Sequence, residues 1–261
     1  MKIKNPNWLY ILALEPLLIA DFCLGIWLVQ DKLWAVMLLA VFGLATVSAV
    51  FRKFREIPKP MDSYKKCRRA FLELPVQANV ELFWCDSMAD FEFLHRIVEV
   101  AMPLFPKGKP FRVMMNPKML EAHGETFMKV AVTRELESLR THTSLKSTLG
   151  LVLPFEALAF VLLLVARFHA ALEASIGGFW VNMAGPALAV AFFGLSLYLW
   201  NRQISKDDIR LDCYLLAHFS KEEIKEYICI TEKMLGGGEK RKEFSEHYMN
   251  DRLFALQYYK K

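Results

Sequence analysis

Residues 149–168 read LGLVLPFEALAFVLLLVARF, a run of 20 residues with one carboxylate, Glu156, and one base, Arg167. About 20 mostly apolar residues suffice for a helix that crosses the hydrocarbon core of a bilayer. Three other stretches have the same character, and the four candidate spans are 8–29, 33–51, 149–168 and 176–200. Two close pairs of near-full-length apolar stretches are not expected of buried core helices, so the sequence predicts two transmembrane hairpins.

The charged residues are separated from these apolar stretches and concentrate in their flanks. Hydrophobic residues make up 54% of the 261 positions and charged residues 23%, with a net charge of +5. Lysine and arginine in short flanks mark the cytoplasmic side of a membrane. Here they follow the second span, precede the third and follow the fourth: Arg52, Lys53, Arg55, Lys59, Arg140, Lys146, Arg202 and Lys206. Both termini are therefore predicted to be cytoplasmic, and no basic tract indicates binding to nucleic acid.

The residues outside the spans are predicted to form one small α+β domain in the cytoplasm. Residues 52–147 begin this domain and 201–261 complete it; the two hairpins occupy 1–51 and 148–200. Two β-rich segments bounded by Asn, Asp and Pro predict strands at 80–85 and 111–115. Apolar spacing and helix-start signals predict helices over 63–74, 87–105, 126–144, 205–219, 220–235 and 250–259.

The cysteines are predicted to be reduced. The chain has five of them, an odd number, and none forms a C-x-x-C pair. Cys23 lies inside the first predicted span. Disulfides are rare in the cytoplasm, where the soluble domain is expected. The cysteines are therefore interpreted as mainly structural thiols, not as a disulfide framework.

One predicted helix carries a pattern of charges that points to a known family. Residues 130–142 read VAVTRELESLRTH. They resemble the zinc helix of the HtpX-type membrane metallopeptidases, relatives of the CAAX prenyl proteases, in which apolar residues precede H-E-x-x-H. In that motif two histidines one turn apart bind zinc, and the glutamate activates the metal-bound water. Here Arg134 and Ser138 stand at the histidine positions, and Glu135 keeps the position of the general base.

The other parts of the chain follow the order that this family has. Two spans come first, then a cytoplasmic domain with the zinc helix, two more spans, and a helix that supplies the third ligand as E-x-x-x-D. Residues 207–212, DDIRLD, are similar to that last motif, with Asp208 at the glutamate position and Asp212 retained. His247 and Arg252 match a closing H-P-x-x-x-R pattern, although Tyr248 replaces the proline. The resemblance implies a mostly α membrane protein of the bacterial inner membrane with a gluzincin-like cytoplasmic domain.

The replaced ligands change the chemistry that the resemblance implies. A guanidinium has no lone pair for a metal, and a lone serine hydroxyl is a poor zinc ligand, so no cofactor is expected. A guanidinium instead bridges carboxylates by paired hydrogen bonds. We therefore predict that Arg134 replaces the cation and lies beside Asp208 and Asp212. The alternative is a rearranged zinc site of Glu135, His142 and Asp208, since His142 lies about two turns from Glu135 on one face.

Three carboxylates fall inside predicted spans: Glu15, Asp21 and Glu156. Ionisable residues at such depth are costly and usually functional. At 1.5 Å per residue, Glu15 and Glu156 lie at a similar depth, about 10 Å from the cytoplasmic face. Pro16 and Pro154 would loosen the helices beside them. Two interpretations stay open: a groove for a substrate segment, or protonated carboxyls that form hydrogen bonds within the bundle.

Three classes of function follow from these observations. The first is a non-catalytic pseudopeptidase that binds membrane-protein clients or a regulatory partner, such as an active protease. The second is an active membrane zinc endopeptidase with an atypical site. The third is a non-protease accessory or signalling protein of the membrane, for which the intramembrane carboxylates are the main argument. The lost ligands favour the first class, and the lipid bilayer is an expected partner in all three.

Overall fold

The computed structural model describes four parts of the chain: residues 67–86, 97–101, 110–235 and 239–259. These parts belong to two compact units. The first unit contains the described residues up to Thr143 and from Ser205 onward, and the second contains Ser144 to Ile204. The first two predicted spans, with Glu15 and Asp21, lie outside the described residues.

A mixed sheet forms one layer of the first unit. Its strands are β1 (Cys67–Arg69), β2 (Val80–Cys85), β3 (Val98–Ala101) and β4 (Phe111–Met115). Their order is β1-β2-β4-β3; β2 and β4 are parallel, and the two outer pairs are antiparallel. The two central strands have the bounds that the sequence predicts. Both predictions are confirmed. Segments rich in β-forming residues with buried side chains favour the middle of a sheet.

Two of the predicted helices are wrong. The prediction over 63–74 fails because β1 occupies Cys67–Arg69 and the residues that follow it, 70–79, are not helical. The prediction over 87–105 is wrong at Val98–Ala101, which form β3; the rest of that range, apart from Ile97, lies outside the described residues. In β3, Val98 is paired with Met115 and Val100 with Val113. Backbone pairing with the buried strand β4 therefore overrides the local apolar spacing that favours a helix.

The prediction of reduced cysteines is wrong for two of the five. Cys67 and Cys85 stand directly opposite each other on β1 and β2, with Cα atoms 4.4 Å apart, and form a disulfide. Cys213 and Cys229 are free and partly buried. The pairing follows from strand register, which the spacing of 18 residues does not reveal. Disulfides are typical of oxidising compartments, whereas the flank charges predict the cytoplasmic side.

The helix α1 (Pro117–Thr141) carries the charged motif. The side chain of Asn116 accepts a hydrogen bond from the backbone N–H of Lys118 at 3.0 Å, which caps the helix start. Gly124 interrupts the helical geometry with a φ of 81°, a conformation that glycine adopts without steric cost. From there the helix continues to a left-handed cap at His142. The predicted helix over 126–144 is thus confirmed to within a few residues.

Two C-terminal helices, α5 (Lys221–Leu235) and α6 (Glu239–Tyr258), complete the first unit. The predicted capping box at the start of α5 is confirmed: the Ser220 N–H donates to Glu223 at 2.7 Å, and the Glu223 N–H donates to the Ser220 hydroxyl at 3.3 Å. The helix α6 is longer than the predicted 250–259. The core joins the sheet to these helices, and its buried members include Val113, Met115, Val130, Leu136, Leu215, Ile224, Ile228 and Leu256.

The second unit is helical. The helix α2 (Thr143–Arg167) contains the third predicted span, and a short helix α3 (His169–Ile176) lies where the sequence predicts a connector. The helix α4 (Gly178–Leu215) has 38 residues, and those from Ser205 onward belong to the first unit. Within the described residues, α4 is the helix that is long and apolar enough to cross a membrane.

Candidate functional site

The predicted contact between Arg134 and the two aspartates is present. Asp208 and Asp212 lie one turn apart on α4, and Arg134 reaches both from α1. Its Nε donates a hydrogen bond to Asp212 Oδ1 at 3.1 Å, and its Nη2 donates to Asp208 Oδ1. The guanidinium also lies over the ring of Tyr227, 5.9 Å from the ring centre. One cation therefore bridges two carboxylates and joins α1 to α4.

Tyr248 is a site residue that sequence reasoning missed as a contact. It stands where the motif that this segment resembles has a proline, and its hydroxyl donates a hydrogen bond to Asp208 Oδ2. The Asp208 carboxylate thus receives Arg134 on one oxygen and Tyr248 on the other. The signal was present in the sequence as the substitution itself, because tyrosine supplies a donor that proline lacks.

A second arginine, Arg252 of α6, forms a buried cluster beside this bridge. Its Nε donates to Asp212 Oδ2 at 2.7 Å and its Nη2 donates to Asp212 Oδ1 at 3.0 Å. Its Nη1 donates to Glu232 Oε1 on α5 at 2.6 Å. The sequence indicated Arg252 through the closing motif, but nothing in the sequence pattern indicated Glu232. The cluster ties α6 to both α4 and α5.

The electrostatics of Asp208 favour its charged form. Burial alone would raise the pKa of this carboxyl, but the nearby guanidiniums of Arg134 and Arg252 and the Tyr248 hydrogen bond lower it below its ordinary value. Burial disfavours the charged form of Arg134, but Asp212 and Asp208 raise its pKa well above the ordinary value. Both shifts favour the ion pair between Arg134 and Asp208.

Glu135 has the opposite tendency. Burial raises the pKa of its carboxyl, and the charge of Arg134 offsets this only in part; Asp208 and Glu99 of β3 raise it further. A raised pKa is common among general bases, but it also follows from burial alone. The surroundings of Glu135 thus favour its protonated form more than water does.

Ser138, His142 and His247, predicted site residues whose side chains the structure describes, make contacts outside this bridge. The Ser138 and Thr143 hydroxyls share a hydrogen bond. His142 forms the left-handed cap of α1, and His247 is exposed and 4.0 Å from Asp251. Glu156 lies in α2, but its side chain is outside the described part. Within the described ranges, no three His, Cys, Asp or Glu residues are grouped to hold a metal.

The donor chemistry of this site does not fit a zinc ion at the family position. Arg134 cannot donate a lone pair, and its charged group lies against both carboxylates that would face the metal. Comparison with family models, curated proteins and solved structures finds no match to this chain.

Proposed function

We propose that this chain is a membrane-embedded, non-catalytic relative of the HtpX-type metallopeptidases that binds membrane-protein clients or a regulatory partner protein. The observation that carries the proposal is the Arg134 bridge to Asp208 and Asp212. In the family motif these positions belong to a zinc histidine and to the carboxylates around the metal. A guanidinium at this place keeps positive charge between the helices but supplies no Lewis acid.

The ion pairs of this cluster support this reading of Arg134. Arg134 and Arg252 face three carboxylates, Asp208, Asp212 and Glu232, within one connected set of hydrogen bonds. Removing one partner from such a cluster leaves an uncompensated charge, which is costly when it is buried. Arg134 therefore supplies the charge that a helix pair with these aspartates requires, and it does so without a metal.

The chemistry of Glu135 supports the loss of catalysis. In the family mechanism the glutamate takes a proton from a water that the metal has acidified. With Arg134 and Ser138 in place of the histidines, no pair of imidazoles holds that metal. The residues at this site lack the group that would cleave a peptide.

Membrane embedding is part of the same proposal. The helix α4 has the length and apolar composition of a span, and α2 covers the third apolar stretch of the sequence. The four predicted spans and the flank charges favour a plasma membrane protein with the soluble domain in the cytoplasm, and the family favours a bacterial inner membrane. Alkaline carbonate extraction of membranes tests this point, because an integral protein stays in the pellet.

The functional experiment offers the purified protein a heat-unfolded helical membrane protein in detergent, with zinc added. We expect retention of this client without cleavage, and the same retention by Glu135→Gln. Zinc-dependent cleavage that Glu135→Gln abolishes would contradict the proposal in favour of an active endopeptidase. The absence of both cleavage and retention would contradict client binding in favour of the accessory class.

A further inference from the structure

A cavity in the first unit lies apart from the Arg134 bridge. It has a volume of about 600 Å³ and lies between the last turns of α1, the end of α4 and the end of α6. This volume is typical of small-molecule sites. Its walls include Lys206, Arg210 and Tyr214 of α4 together with Tyr258 and Tyr259. Cations and aromatic rings thus line one open groove.

The charges around this cavity favour an anion. Glu137 also lines it, but its carboxylate is held by Arg140 through two hydrogen bonds of 2.5 and 2.6 Å. Arg210 lies 3.4 Å from the buried Asp207. Lys206 is exposed on the same helix face, one turn before Arg210. The three cations, Arg140, Lys206 and Arg210, outnumber the two carboxylates, Glu137 and Asp207. A lysine and an arginine one turn apart on a helix suit a phosphate group.

The tyrosines indicate that the anion belongs to an amphiphile. The side chains of Tyr258 and Tyr259 are 62% and 47% exposed. Large aromatic side chains at the edge of a cavity usually bury their rings against a partner. Tyrosine is also enriched at the level of lipid headgroups, where the ring meets apolar chains and the hydroxyl meets water.

The position of the two cations along α4 agrees with headgroup depth. They follow Trp200, the last residue of the fourth predicted span, by six and ten residues. At 1.5 Å per residue these steps rise about 9 and 15 Å. Headgroups occupy roughly 5–8 Å on each side of the hydrocarbon core, and helix tilt lowers the height that a given rise reaches. Lys206 is therefore placed at the outer edge of the headgroup layer, and Arg210 lies about 6 Å further along the helix. Side chains of a helix tilt toward its N-terminus, which here is the membrane side, so the long side chain of Arg210 can extend back toward the phosphate level.

We propose that this cavity binds the phosphate headgroup of an anionic phospholipid, with Lys206 and Arg210 as phosphate ligands and the tyrosines against the glycerol and first methylenes. The proposal rests on α4 crossing the membrane, which is part of the proposed function. It does not depend on whether the Arg134 site is catalytic. The cavity would fix the end of α6 at the membrane surface.

The test titrates the full-length protein in neutral detergent with short-chain phosphatidylglycerol, and measures bound lipid by native mass spectrometry. Short-chain phosphatidylcholine should bind at least about tenfold more weakly, because it lacks net negative charge. The double variant Lys206→Gln with Arg210→Gln should weaken phosphatidylglycerol binding about 30-fold, and Lys206→Gln alone about fivefold. The single variant leaves the ion pair of Arg210 with Asp207 intact.

A charge-matched control removes two exposed lysines of α5, Lys225→Gln with Lys233→Gln, and should change the affinity less than about twofold. Equal binding of the two lipids, or an equal loss in the control, would overturn the proposal. Inorganic phosphate that competes as well as the lipid would also overturn it, by showing a site for free anions. Because short-chain lipids reach the cavity without a bilayer, these results are distinguishable from a failure of carbonate extraction to retain the protein.

Discussion

Two arginines bind the same aspartate, and their surroundings differ. Arg252 is 4% exposed and lies between Asp212 and Glu232, which are 1% and 5% exposed. Arg134 is 15% exposed, and its second partner, Asp208, is 22% exposed. The first arginine forms a closed structural cluster, whereas solvent and ligands can reach the second. The difference indicates that Arg134 can be replaced at a smaller cost in stability than Arg252.

The largest effect is expected from breaking the closed cluster. Arg252→Leu leaves Asp212 and Glu232 without their shared partner in a buried place, so the free energy of unfolding should fall by about 3–5 kcal/mol. Chemical denaturation in detergent, followed by intrinsic fluorescence, measures this change. The control Arg252→Lys keeps the charge and should recover part of the loss. A fall of less than about 1 kcal/mol for Arg252→Leu would show that the cluster is not structural.

A smaller effect is expected at the accessible bridge. Arg134→Leu removes one hydrogen bond to each aspartate, but Asp212 keeps Arg252, so the expected loss is about 2 kcal/mol. The double variant Arg134→Leu with Asp208→Leu should lose less than the sum of the two single variants, because the two residues are in contact. An unchanged melting profile for Arg134→Leu would contradict the bridge.

Tyr248→Phe isolates the hydrogen bond that the family proline cannot form. It removes one donor to Asp208 and keeps the ring, so the expected loss of stability is about 1 kcal/mol. The matched control is Tyr258→Phe on the same helix, whose side chain is 62% exposed and should tolerate the change. If both variants are equally neutral, Tyr248 does not strengthen the accessible bridge.

The two acids beside Arg134 should respond to pH in opposite directions. The folded-state pKa of Asp208 is lowered from about 3.8, so its contribution is present above the unfolded value and is lost as pH falls through the lower folded one. The folded-state pKa of Glu135 is raised from 4.5, so its contribution is present below that value and is lost as pH rises. Asp208→Asn should flatten the acid limb of a stability profile, and Glu135→Gln should stabilise the protein at pH 7 relative to pH 4. Parallel profiles for both variants would contradict these opposite signs.

The parts of the fold that follow from local patterns were predictable. Central strands such as 111–115 are bounded by turn residues, and α1 and α5 have cap signals at their starts. The contact of Arg134 with Asp208 was predictable because the resemblance to the metallopeptidase motifs indicated which two helices would meet. An edge strand forms by pairing with a strand that is distant in the sequence. The apolar spacing around Val98 favours a helix, but Val98 pairs with Met115 of β4. The disulfide was not predicted for the same reason, because the register of β1 with β2 places Cys67 opposite Cys85.

The contacts of the closed cluster lacked any comparable signal. Glu232 sits on a helix with several acidic residues, and only the packing of α6 against α5 selects it as the partner of Arg252. Tyr248 was visible as a departure from the closing motif, but its hydrogen bond to Asp208 depends on how α6 lies over α4. Side-chain partners across helices are set by tertiary packing, which a single sequence does not encode in a readable pattern.

The central claim is that Arg134 occupies the place of a zinc ion. Elemental mass spectrometry of the detergent-purified protein, prepared without metal-affinity columns, tests it together with the variant Arg134→His plus Ser138→His. We expect no bound zinc in the original protein and near-stoichiometric zinc in this double variant. Adding Asp208→Asn to the double variant should remove the zinc again. The variant Glu222→His with Glu226→His on α5 controls for nonspecific binding by a histidine pair. Stoichiometric zinc in the original protein that Glu135→Gln or Asp208→Asn removes, or zinc in the double variant no higher than in the α5 control, would contradict the claim.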